Sequence, residues 1–138
     1  MKKLMAGLAL SVLLFQTACK EEGRLYNLVT GEVTIVTFTW VGSGKGTINA
    51  VLASGEKLSG EYLTFVRPPV NWGTIYAAVY GAGSSGGETD RSNQYGTAVV
   101  SGDKGFVGDC EYVTRGVVSA HGSGACTDNQ GTAYKLMF

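Results

Sequence analysis

Beyond residue 18 the apolar positions fall in short runs that alternate with polar ones or fill both faces, without the period of about 3.6 residues that marks a helix. Residues 32–41, EVTIVTFTWV, are dense in β-branched and aromatic side chains and read as a strand. Both alternating sets, Val33, Ile35, Val41 and Val36, Phe38, Trp40, are large and apolar, so a central strand covered at least partly on both faces is expected. Four further runs each follow a Gly-Thr pair: Gly46-Thr47, Gly73-Thr74 (opening TIYAAVY), Gly96-Thr97 and Gly131-Thr132 (opening TAYKLMF).

Part of this pattern repeats. Gly46-Thr47, an apolar run, Gly55-Glu56-Lys57 and Gly60-Glu61-Tyr62 are echoed by Gly96-Thr97, an apolar run, Gly102-Asp103-Lys104, Gly108-Asp109 and Glu111-Tyr112. A glycine-bearing polar turn between two β-type runs is a hairpin signal, because glycine accepts the positive φ such turns demand. The expected fold is all-β: an antiparallel meander of Gly-flanked hairpins forming a small sheet or barrel-like domain over residues 24–138, closed or capped to protect its edges.

The start of the chain differs. Lys2 and Lys3 precede a twelve-residue apolar run, residues 4–15, then Gln16-Thr17-Ala18 and Cys19. A membrane-spanning helix needs about 20 residues, so this reads as a cleaved export-signal helix, residues 1–18. Residues 19–23 then read as a short polar tether, reaching roughly 15 Å when extended.

Ala18 followed by Cys19 resembles the lipobox of bacterial lipoproteins; Gln16 departs from it, since the family usually carries an apolar residue there. The resemblance implies that Cys19 receives a diacylglyceryl group, with palmitate-type acylation, and becomes the new N-terminus, anchoring the domain to a membrane of the cell envelope. Lys20, where an Asp would retain an enteric lipoprotein at the inner membrane, implies the periplasmic face of the outer membrane.

Three cysteines are an odd count for an exported chain; with Cys19 lipidated, Cys110 and Cys126 remain as a pair for a disulfide. A metal site is not expected, since only His121 could join these cysteines and a soft-metal site needs about four ligands. Loss of Lys2 and Lys3 leaves nine basic against eleven acidic side chains, a net charge near −2 with no basic run, which argues against nucleic acid as a partner.

Residues 44–63, GKGTINAVLASGEKLSGEYL, resemble the MORN-type hairpin repeat, which implies stacked hairpins in a scaffold but no substrate. Two loops stand out. Residues 67–73, RPPVNWG, are stiffened by Pro68 and Pro69 and present Trp72, either to a sugar or protein partner or simply to close the end of the sheet. Residues 81–93 are small and polar.

Catalytic motifs are weak. Gly81-x-Gly83-x-x-Gly86 is not followed by a helical pattern that could hold a pyrophosphate, and Gly44-Lys45-Gly46-Thr47 lacks the upstream glycine of a phosphate loop. His121 could serve a Ser-His-Asp arrangement only with Asp109 or Asp128, and no serine lies in a G-x-S-x-G elbow. Glu61, Asp103, Asp109, Glu111 and Asp128 are explained by turn chemistry and solubility. The sequence therefore reads as a binding or structural envelope lipoprotein, neither an enzyme nor a cofactor protein. Its contact surfaces would be Trp72, residues 81–93 and residues 110–126, and its partners the membrane and an envelope protein or glycan. A second expectation, an inhibitor of a cell-wall hydrolase such as lysozyme, rests on resemblance to small disulfide-bearing β-barrel lipoproteins; their Ser- and Tyr-bearing inhibitory motif is not evident here.

Overall fold

The structure, a computed structural model, describes residues 19–84, 93–115 and 121–138. The expected signal with Gln16 and Ala18, the middle of the polar loop at 81–93 and residues 116–120 lie outside the described residues.

Eight strands, Lys20–Asn27 (β1), Val33–Gly42 (β2), Lys45–Val51 (β3), Lys57–Phe65 (β4), Asn93–Gly102 (β5), Val107–Arg115 (β6), His121–Asp128 (β7) and Ala133–Met137 (β8), follow one another as an antiparallel meander. Pairing of β1 with β8 closes them into a barrel. Closure removes the open edges that a flat meander would expose. With eight strands the interior is just wide enough for side chains to fill it, and here it is filled. The lower half holds Leu25, Val36, Ile48, Leu58, Val100 and Leu136 with Cys110 and Cys126, leaving about 20 Å³ of open space. The disulfide joins Cys110 to Cys126, directly opposite each other on β6 and β7.

The upper half is filled by a closed circuit of rings: Phe38 to Tyr62 at 5.8 Å, Tyr62 to Tyr112 at 6.3 Å, Tyr112 to Phe138 at 5.8 Å and Phe138 to Phe38 at 5.2 Å. Glycine makes room for it. Gly46 lies opposite Tyr62, and Gly96 opposite Tyr112, and a Cβ at either glycine would overlap the facing ring. Thr47 opposite Glu61 and Thr97 opposite Glu111 complete the match, so the sequence repeat is a structural repeat offset by fifty residues. Its turns align at the same offset through Gly55 and Gly105, both at positive φ (81° and 101°). The matching letters Gly102-Asp103-Lys104 lie three residues out of that alignment: Gly102 ends β5 and leaves space for the Glu56 carboxylate.

Three expectations are corrected. Residues 20–23 are no tether but the first half of β1, with Lys20 opposite Thr39 and Gly23 buried against Phe38 and Phe138. Residues 74–80 form not a strand but a helix, Thr74–Tyr80 (α1). Of the large apolar residues of β2 only Val36 and Phe38 are covered; Val33, Ile35, Trp40 and Val41 are exposed, because a barrel strand buries one face, nothing packs over this part of the outer wall and Trp40 stands at the mouth.

Candidate functional site

The helix α1 decides where the outer wall acquires a concave surface. Seven residues are too few for a stable helix in isolation, and Gly73, at its start, offers no side-chain cap. The missing acceptor comes from the barrel: the Tyr76 N–H donates to Glu111 Oε2 at 2.9 Å, so a β6 carboxylate satisfies an otherwise orphaned amide at the positive end of the helix. Tyr76 Oη shares a 2.8 Å hydrogen bond with Ser123 Oγ, and the Tyr80 hydroxyl donates to the Gly124 carbonyl at 3.1 Å. The helix thus lies on the outer face of β6–β8, which buries Glu111 and leaves Ala125 fully covered although both point away from the barrel axis.

Trp72, just before the helix, is half-buried. Its indole N–H donates to the Gly96 carbonyl at 2.9 Å, and its ring meets Tyr95 edge-on at 5.0 Å and stacks on Tyr76 at 5.5 Å. Tyr76 stacks on Tyr80 at 4.4 Å, and the Lys135 ammonium lies 5.1 Å from the Tyr80 ring. A ladder of four aromatic rings therefore runs from β5 along the helix and ends in a cation–π contact. Burial, reinforced by the neighbouring Tyr76 and opposed by a Ser123 hydrogen bond, raises the Tyr80 pKa above the ordinary phenol value.

Beside this ladder, at the upper end of β5–β7, is a cleft of about 420 Å³ bordered by Trp72, Tyr76, Tyr95, Arg115, His121 and Ser123. Arg115 and His121 are paired across β6 and β7 at the end of the hairpin, both exposed, and supply the cleft with a guanidinium and an imidazole. Asn93 reaches the same cleft. Residues from each of the three surfaces expected from sequence, Trp72, Ser84 and Asn93 of residues 81–93, and Arg115, His121 and Ser123 of residues 110–126, thus border one cleft, while Cys110 and Cys126 lie in the core.

Other candidates are not assembled. Asp109 pairs with Thr127 and Asp128 with Gly108, six and seven residues along the strands from His121, which is about 20 Å at strand spacing. Neither can orient the histidine. Asp103 and Asp128 accept backbone hydrogen bonds in turns, from Lys57 and from Gln130 and Thr132. Among the described residues no group of three or more His, Cys, Asp and Glu is placed to hold a metal ion. Cys19 is a free, exposed thiol at the upper end of the barrel.

Sequence reasoning missed Tyr76, Tyr95 and Arg115. The spacing of Tyr76 and Tyr80 within TIYAAVY, one helical turn apart, was the available signal for the helix; nothing local announced Tyr95 or Arg115, which the sheet register brings to the cleft. No protein-family model, no curated protein and no solved structure matches the chain.

Proposed function

We propose that the protein is a lipoprotein of the bacterial cell envelope, anchored through Cys19 on the periplasmic face of the outer membrane, whose barrel is a recognition module for an acidic glycan. The observation that carries this reading is the outer cleft, aromatic on one side and bearing Arg115 and His121 on the other, on a barrel whose interior is packed. Flat aromatic faces suit the apolar face of a sugar ring. A guanidinium at the mouth suits a carboxylate substituent, which it can engage with two parallel hydrogen bonds. The rigid frame supports selective binding, because the ladder from Tyr95 to Tyr80 is fixed by hydrogen bonds at Trp72, Tyr76 and Tyr80 before any ligand arrives.

Titration of the purified barrel with soluble cell-wall glycan fragments, followed by tryptophan emission and calorimetry, tests the reading. Acidic fragments should bind and neutral ones should not, and Arg115→Ala should weaken binding about tenfold, the scale of one lost charged hydrogen-bonding group. Absence of binding by the unaltered protein, or equal binding by Arg115→Ala, rejects the glycan cleft. The mass of the mature N-terminus tests the anchor: an unmodified Cys19 rejects it.

A further inference from the structure

We infer that the end of the barrel carrying Cys19 is a bilayer-docking surface, with Trp40, Val41, Val66 and Val70 entering the lipid interface. The inference rests on the anchored reading above, and adds an orientation: the barrel stands with its upper mouth against the membrane and the turns of its lower end pointing away.

Four observations converge on it. The Cys19 carbonyl accepts the Trp40 N–H at 3.1 Å, so an anchor on Cys19 begins beside Trp40 with no intervening chain to act as a spacer. Trp40 is 56% exposed and Val41 65%. The turn after them is fixed to the end of β4, since the Thr64 N–H donates to the Gly44 carbonyl, and the connection that leaves β4 two residues later presents Val66 and Val70 at 78% and 92% exposure. Pro68 and Pro69 stiffen it. Lys20, Lys45 and Arg67, all exposed, lie among these residues, where anionic headgroups would meet them.

Cys19, the first described residue, lies at this same mouth, so whatever holds the N-terminus to a membrane holds this end. The opposite end is of different character. Leu28 and Val29 are exposed there, but amid Lys57, Asp103, Lys104 and Gln130. Nor does the wall suit hydrocarbon: Glu22, Arg24, Lys57, Glu61 and Asp109 are exposed on it while the interior is apolar, the inverse of a barrel that spans a bilayer. An amphipathic tryptophan flanked by aliphatic residues and cations is a composition that rests at the headgroup level.

The test uses residues 19–138, which contain the whole closed barrel, coupled through the Cys19 thiol to a maleimide lipid in phosphatidylethanolamine–phosphatidylglycerol vesicles. This attachment holds whether or not cells acylate Cys19, so the docking surface and the natural anchor are judged separately. The chain has two tryptophans, Trp40 and Trp72, and Trp40→Phe removes the one at the mouth without touching the cleft. Brominated acyl chains should lower the emission of the unaltered chain by about a third or more and leave Trp40→Phe nearly unchanged. The double substitution Val66→Ser with Val70→Ser, at exposed positions, should reduce that quenching. Equal quenching of the unaltered and Trp40→Phe chains, or none in either, overturns the inference. So does concentration-dependent dimerisation that Trp40→Ser abolishes while vesicles leave Trp40 unquenched, which would assign the same surface to a second copy.

Discussion

Glu56 and Lys104 join two hairpin turns that are far apart in the chain: the Glu56 carboxylate, at Oε1, accepts the Lys104 N–H at 2.9 Å, and Lys104 Nζ returns to the Ser54 carbonyl at 3.3 Å. The same oxygen accepts the Phe106 N–H at 2.9 Å, and Asp103 Oδ1 accepts the Lys57 N–H at 2.9 Å. Glu32 Oε1 takes the Ala53 N–H, Asn129 Oδ1 takes the Val107 N–H, and the Leu28 N–H reaches the Ala133 carbonyl. The four turns at the lower end thereby form a complete ring of hydrogen bonds.

Glu56 is the buried member of that ring, so its loss leaves two amides without their charged acceptor. Glu56→Ala should cost about 2 kcal/mol, and Glu56→Gln, which keeps an acceptor, less than half of that. Urea unfolding at constant slope measures both; equal midpoints for Glu56→Ala and the unaltered protein would remove the ring from the account of stability.

Gly96 faces the Tyr112 ring, whose hydroxyl donates to the Leu63 carbonyl at 3.0 Å and shares a 2.8 Å hydrogen bond with Thr64 Oγ1. The ring cannot retreat without giving up both. Gly96→Ala should therefore cost about 3 kcal/mol. Adding Tyr112→Leu should recover part of the loss, a coupling that a double-mutant cycle reads directly.

Glu111 holds the helix to the barrel. With Glu111→Ala the Tyr76 amide loses its acceptor, and hydrogen exchange at Tyr76 and its neighbours should accelerate at least about tenfold while amides of β3 and β4 keep their protection. Glycan affinity should fall with it, since the Trp72–Tyr76 stack forms one wall of the cleft. Unchanged exchange would mean the helix is held by its aromatic contacts and the Tyr76 and Tyr80 hydroxyl hydrogen bonds, without need of Glu111.

Burial, then the Asp128 hydrogen bond and charge, pushes the Tyr134 pKa up to about 12. Burial likewise takes Tyr112 to about 12 against the opposing Thr64 hydrogen bond. A phenol that ionises later in the fold than in the unfolded chain stabilises fully below about pH 10, and that contribution is lost as pH rises through about 12. For Asp128 burial raises the pKa, but hydrogen bonds from the Thr132 N–H, the Tyr134 hydroxyl and the Gln130 N–H outweigh it and hold the pKa below the ordinary value. Its contribution is present above about pH 4 and is lost as pH falls further. Denaturation midpoints followed across pH should decline at both ends, and Asp128→Asn should flatten the acid limb. Tyrosinate absorbance should show late ionisation coincident with alkaline unfolding.

What could be read from the chain follows from local chemistry. Glycine-bounded runs of β-branched and aromatic residues announce strands and hairpins, so the all-β meander, the reused hairpin of residues 44–63 and 96–112 and the pairing of Cys110 with Cys126 were legible without coordinates. The rest needed three dimensions. Whether a meander closes depends on residues 24–27 of β1 reaching β8, a contact between chain ends that no local pattern encodes, and residues 20–23 are strand rather than tether because they pair with β2. TIYAAVY carries β-favouring residues, yet its fate was decided by the Glu111 carboxylate and the outer wall of β6–β8. Trp72 was visible as an aromatic on a stiff loop; that it stands between Tyr76 and Tyr95 and beside Arg115 and His121 is a product of sheet register. Side-chain identity sets what each segment prefers, and only the packing of distant segments sets which surfaces are left to face a partner.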